Sequence, residues 1–190
     1  MADMTRARLL APLAVLVLAA SGCGGDDDDG SANSGTNAAS TPAETAAEEP
    51  QATTGEAPTV SNADDLSSKP QIETPAGDPP TALIKEDLVV GDGPEVKKGQ
   101  LASMQYVGIS WSTGEQFDAS WDRGAQPFQF QVGQGMVIPG WDEGIPGMKV
   151  GGRRVLVIPP DMGYGPSGTP DGSIAPNETL VFVVDLVGVG

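Results

Sequence analysis

Histidine is missing from all 190 residues, and cysteine occurs once, as Cys23. Without an imidazole there is no Ser/His/Asp relay, no histidine base and no histidine-ligated metal. One thiol closes no internal disulfide and builds no zinc cluster, so a fold here must stand on packing alone. Positive charge is also scarce: 10 Lys and Arg face 26 Asp and Glu, a net charge of -16. The deficit runs through both halves, with 3 basic against 13 acidic residues over 1–79 and 7 against 13 over 80–190. The adjacent basic pairs are Lys97-Lys98 and Arg153-Arg154. That is too little to form a basic face that releases counterions from phosphates, so nucleic acid is not an expected partner.

Aromatic residues are few, three Trp, two Tyr and four Phe, and all lie between Tyr106 and Phe182. Large rings supply much of the apolar area a core needs, so the first 80 residues have little with which to offset conformational entropy. One compact domain is expected over residues 81–190, about 110 residues and within the usual size range.

Arg6 and Arg8 precede an apolar run, Leu9 to Ala20, that contains Pro12. A bilayer-spanning helix needs roughly 20 apolar residues, so this shorter run reads as a signal peptide over 1–22. Ala19-Ala20-Ser21-Gly22-Cys23 resembles a bacterial lipobox, which implies a diacylglyceryl group on Cys23 and a lipid anchor at the outer face of the bacterial cell membrane. An unprocessed lipobox would leave the protein secreted. Residues 24–80 are rich in Asp, Ser, Thr, Ala, Pro and Glu without a period of 3.6 or 2. They are expected to form, with Cys23, a disordered acidic tether over 23–80 with a reach of roughly 40 Å. Asp26 to Asp29 lack the alternating oxygens and turn glycine of a calcium loop and read as a solvated charge run.

The folded part alternates as half-buried strands do, most clearly in Phe128-Gln129-Phe130-Gln131-Val132. Leu101–Trp111, Arg153–Ile158 and Leu180–Val187 give further strands, and Ile84–Val90 an edge strand. One short helix is signalled at Pro139–Glu143, with proline at its start and Gly144 and Pro146 at its end. So short a helix must press Ile138 or Trp141 onto a sheet. The expected class is α+β: a twisted antiparallel sheet of five or six strands around one short helix.

Three weaker signals carry no chemistry. Gly163 to Gly168 fits G-x-G-x-x-G but runs into Thr169-Pro170-Asp171-Gly172, which cannot open the helix that a dinucleotide site requires. Asn177-Glu178-Thr179 is a chance sequon leading into a strand. The acid pairs Asp118/Asp122 and Asp142/Glu143 have no spacing that marks hydrolytic carboxylates.

A linked series does stand out. It comprises Tyr106-Val107-Gly108, GEQFDAS over 114–120, Pro127 to Phe130, VIPGWDEG over 137–144, MKVGGR over 148–153, IPPDMGYG over 158–165 and TLVFVVD over 179–185. In these segments the chain closely resembles the FKBP-type peptidyl-prolyl isomerases, over nearly all of residues 84–190. The resemblance implies a sheet wrapped around a short helix. It also implies a proline-binding cavity lined by Tyr106, Phe117, Asp118, Phe128, Val137, Ile138, Trp141, Tyr164, Ile174 and Phe182, with Trp141 as floor and Asp118 and Tyr164 at the rim. Where family members often carry a histidine this chain has Thr169, and the loop Thr169 to Ser173 is one residue longer. Trp121 replaces a charged residue and is expected to add an exposed apolar contact.

The implied activity is cis/trans isomerisation of the bond before proline, without metal or cofactor, by a monomer acting on proline-containing polypeptides that are exported or displayed at the cell surface. Macrolides such as tacrolimus are implied inhibitors. The alternative is a binding module that docks proline-containing partners without useful turnover.

Overall fold

The computed structural model describes residues 55–190; the expected signal peptide, Cys23 and the expected tether up to residue 54 lie outside the described residues. In chain order the elements are β1 (Val60–Ser61), β2 (Gln71–Ile72), β3 (Ile84–Val89), β4 (Leu101–Ser110), β5 (Gln116–Ala119), β6 (Phe128–Gln131), α1 (Pro139–Gly144), β7 (Gly152–Ile158) and β8 (Leu180–Val189). Strands β3, β7, β8, β4 and β5 lie side by side in that order, and β6 also pairs with β4. All pairings are antiparallel, giving the six-stranded sheet the alternation implied, with Ile84–Val89 on its edge. The long strand β4 is the hub: β8 runs along one side, while β6 takes Leu101–Met104 and β5 takes Val107–Ile109 on the other.

Side chains of a strand alternate between faces, and both faces of this sheet are apolar. Along β8, Leu180, Phe182, Val184 and Leu186 join one buried cluster, and Val181 and Val183 join another. In β7 Leu156 and Ile158 face the first cluster, and Val155 and Val157 the second. The first face receives α1. Pro139 starts this helix and Asp142 lies in its first turn, where a carboxylate suits the dipole. The helix sits very close to β7 because two glycines face the sheet. A Cβ on Gly140 would stand 2.5 Å from the Ile158 side chain, and one on Gly144 would stand 2.7 Å from Leu156. Arg154 then caps the helix end, donating to the Gly144 carbonyl at 2.6 Å while gripping Asp87 of β3 at 2.7 and 3.0 Å.

Residues 55–80 differ from the expected tether, which ran to residue 80. They form a strap over the second face: β1 pairs with β2, and Ala57, Val60 and Ile72 pack on the Val107, Ile109, Val155 and Val181 cluster. The fully buried Arg153 is its anchor. Its guanidinium grips Asp185 at 2.6 and 2.8 Å and also donates to the carbonyls of Asn62 at 2.5 Å and Ser68 at 3.2 Å. The Trp111 indole N–H donates to the Gly77 carbonyl at 3.3 Å. The physical reason is that a strand apolar on both faces needs a cover on each. This segment supplies that cover with a few scattered apolar side chains, Ala57, Val60 and Ile72, and is tied down through backbone carbonyls, so its largely polar composition concealed its order.

Candidate active site

The first face of the sheet, the start of α1 and the loops above it enclose a hollow of about 420 Å³. Strand β4 contributes Tyr106, β5 Phe117 and Asp118, β6 Phe128, and β8 Phe182. Val137, Ile138 and Trp141 come from the entry and first turn of α1, and Tyr164 and Ile174 from the loop between β7 and β8. All ten residues expected to line the cavity therefore meet at one hollow.

Trp141 lies beneath it, 4 % exposed and enclosed by rings. Tyr106 and Phe182 stand nearly perpendicular to it with centroids at 5.3 Å, and Phe128 does so at 6.1 Å. Such edge-to-face contacts add about 0.5–1.5 kcal/mol each beyond burial. Phe117 meets Phe182 edge-on at 5.4 Å. Gly108 allows this meeting, since a Cβ there would come within 2.6 Å of Phe117 and 2.8 Å of Phe182. The Trp141 indole N–H is buried without a partner. An acceptor is thus absent from the floor among the described residues.

The rim is polar on one side. The Tyr106 hydroxyl donates to Asp118 at 2.5 Å and accepts from Arg123 at 2.6 Å, and Arg123 also pairs with Asp118. The Tyr106 backbone N–H is held by the Ser120 hydroxyl at 2.9 Å, which itself donates to Gln105 at 2.5 Å. Burial, reinforced by Asp118, raises the Tyr106 phenol above its ordinary pKa; burial, then Asp118 and Asp171, raises that of Tyr164. Both phenols stay protonated at neutral pH. Among the described residues the Tyr164 hydroxyl and the Ile138 amide N–H have no partner within the chain, so both are free to hold a peptide.

Four further lining residues stand outside the ten expected: Met136, and Thr169, Asp171 and Ser173 from the loop whose extra length the sequence marked. The longer loop is tied internally: the Thr169 hydroxyl accepts from the Ile174 N–H at 2.9 Å, and Asp171 accepts from the Ser173 hydroxyl at 2.9 Å. Arg123 was also missed; it follows Asp118 through a 3-10 turn, which leaves no periodic signal. Trp121 is a correction. It packs against the second cluster with its indole N–H buried instead of adding an exposed contact, because the same turn aims it at the strap face.

The sequence profile of the FKBP-type peptidyl-prolyl cis-trans isomerases matches residues 93–187. An FK506-binding protein of Streptomyces anulatus is 56% identical over 121 residues, which cover 64% of this chain and 97% of that protein. The FK506-binding protein of Neisseria meningitidis serogroup A is 49% identical over 109 residues, 57% of this chain and 96% of that protein. Among solved structures, the crystal structure of AtFKBP13 superposes with a TM-score of 0.52 at 42% identity, covering 57% of this chain and 93% of that one. FkpA from Escherichia coli gives 0.51 at 40% identity, with 57% and 48% covered. With its fold, its ring-lined hollow and relatives matched almost end to end, this chain belongs to the FKBP-type peptidyl-prolyl cis-trans isomerases.

Proposed function

We propose that this isomerase accelerates the folding of exported or cell-surface polypeptides, working as a monomer held at the outer face of the bacterial membrane by a lipid on Cys23. The observation that carries the catalytic part of this reading is the hollow floored by Trp141 and walled by Tyr106, Phe128 and Phe182. Rotation about a peptide bond faces a barrier of roughly 18–20 kcal/mol, because resonance stiffens the C–N bond and polarises the carbonyl. Midway through rotation that resonance is lost and the amide is less polar. An apolar hollow therefore penalises the planar ground state more than the twisted state, which is preferential binding of a transition state.

Trp141, Phe182, Phe128, Tyr106 and Val137 grip the prolyl ring in this reading, with Phe117 and Ile174 closing its sides. The Ile138 amide and the Tyr164 hydroxyl hold the flanking peptide, a role supported by their lack of partners within the chain. Asp118 with Arg123 fixes the Tyr106 hydroxyl. No proton moves between protein and substrate.

Exchange spectroscopy on short proline peptides tests this directly. Added protein should speed cis/trans interchange, and FK506, for which the bacterial relatives are named, should abolish the gain. Binding of FK506 with unchanged interchange would replace the enzyme reading with a docking module. Export and anchoring are tested separately: expression in a bacterial host should give a membrane-bound, lipid-labelled product, and Cys23→Ser should release it.

A further inference from the structure

A second hollow of about 190 Å³ adjoins the first and shares two walls with it, Phe117 and Ser173. A polypeptide whose proline enters the first hollow must leave it along the chain in both directions, and a chain that leaves past Phe117 and Ser173 meets the second hollow. The second hollow is lined mostly by polar residues, among them Ser110, Ser112, Thr113, Glu115 and Glu178. Glu178 is only 7 % exposed. Its two oxygens accept from the Ser112 backbone N–H at 2.9 Å and hydroxyl at 2.7 Å, yet no cation among the described residues pairs with it. Among the described residues no lysine or arginine lines the second hollow, the rim cation of the first, Arg123, is already paired with Asp118, and Asp171 adds negative charge at that rim. A buried carboxylate is hydrogen-bonded here but not neutralised, so a cation entering the hollow would gain most from it.

The geometry points to the second hollow as a subsite for a substrate side chain near the proline, one that selects lysine or arginine. The inference rests on the prolyl-binding reading of the first hollow. It makes Glu178 and Glu115 specificity-determining residues and leaves the rotation itself to the ring-lined pocket.

The test measures kcat/KM of the full-length chain on a peptide series carrying lysine, alanine or glutamate singly at positions on either side of one proline. At one position lysine should outrun glutamate by roughly five- to tenfold at low ionic strength, as expected of charges meeting in a partly enclosed cleft. The ratio should shrink as salt is added. Glu178→Gln should bring it towards one, whatever happens to the rate on the alanine peptide. Glu115→Gln, at an exposed position, should lower it in part and keeps the question answerable if Glu178→Gln folds poorly. A lysine/glutamate ratio near one at every position, or a ratio untouched by both substitutions, overturns the subsite. Failure to accelerate the alanine peptide overturns the isomerase reading instead.

Discussion

Arg153→Met should destabilise the protein by about 3–5 kcal/mol, the usual cost of removing one partner of a buried ion pair. Three losses combine. Asp185, 2 % exposed, keeps its charge without a counter-ion, and the carbonyls of Asn62 and Ser68 lose the donor that holds the strap. Arg153→Met/Asp185→Leu should recover much of the loss, because apolar replacement of a whole buried pair is often close to neutral. A residue of about 1–2 kcal/mol should persist from the strap carbonyls. Urea unfolding followed by tryptophan fluorescence gives each value, and proteolysis within residues 55–80 reports release of the strap. Burial pushes the Asp185 carboxyl above its ordinary pKa against the pull of Arg153. Removing Arg153 leaves only the upward push. A raised folded pKa contributes stability that is full below the unfolded value, near 3.9, and is lost as pH rises through the folded value. The Arg153→Met deficit should therefore be smaller at pH 5 than at pH 8. A double variant no more stable than the single, or a deficit that grows as pH falls, would refute the reasoning.

Trp141→Leu and Phe182→Ala should each cut kcat/KM for proline peptides at least tenfold, and Phe182→Ala should also cost about 3–5 kcal/mol in urea unfolding, as large core truncations do. Gly108→Ala should lower activity more than its single methyl suggests, since the new Cβ meets Phe117 and Phe182 at once; a crystal structure with both rings unmoved would contradict this. Activity should be flat from about pH 6 to 8, because the usual carboxylate and phenol ranges lie outside that window. Tyr106 and Tyr164 have raised values, so their stabilising contribution holds below about pH 10 and is lost as pH rises beyond it. A bell-shaped rate profile centred near neutrality would count against a mechanism without proton transfer.

The strand pattern was legible because β4 and β6 have distinctive local chemistry, and α1 because proline opens it and Gly144 with Pro146 closes it. The ten cavity residues came from ordered motif resemblance, not from periodicity: nothing in the spacing of Tyr106 and Phe182, on neighbouring strands β4 and β8, places them around one tryptophan. Arg123 stayed hidden because its role depends on a short turn that brings a residue five positions beyond Asp118 back onto Tyr106. The strap stayed hidden for a different reason. The few apolar residues it packs down, Ala57, Val60 and Ile72, are scattered among polar ones without a period, and the signal for it lies in the strands beneath it, where Val155-Leu156-Val157-Ile158 and Leu180 to Val184 are apolar without alternation. Such runs mean burial on both faces, so they called for a second cover that the helix could not provide.

Because strand side chains alternate, the same two strands serve the hollow and the strap without sharing side chains. Tyr106 and Phe182 face Trp141, while their neighbours Val107, Val181 and Val183 face the strap cluster. Backbone pairing across β4 and β8 is the link between them: Gly108 lies opposite Phe182 and Tyr106 opposite Val184. Loosening the strap therefore lowers the free energy needed to open the sheet but leaves the ring geometry unchanged while the sheet is closed. Arg153→Met should accordingly show near-normal kcat/KM well below its melting temperature and lose activity together with its folded signal. A loss of turnover in the fully folded variant would mean that the strap also reaches the hollow through the sheet, with the bond from Lys69 to Asp122, beside Arg123, as the first place to look.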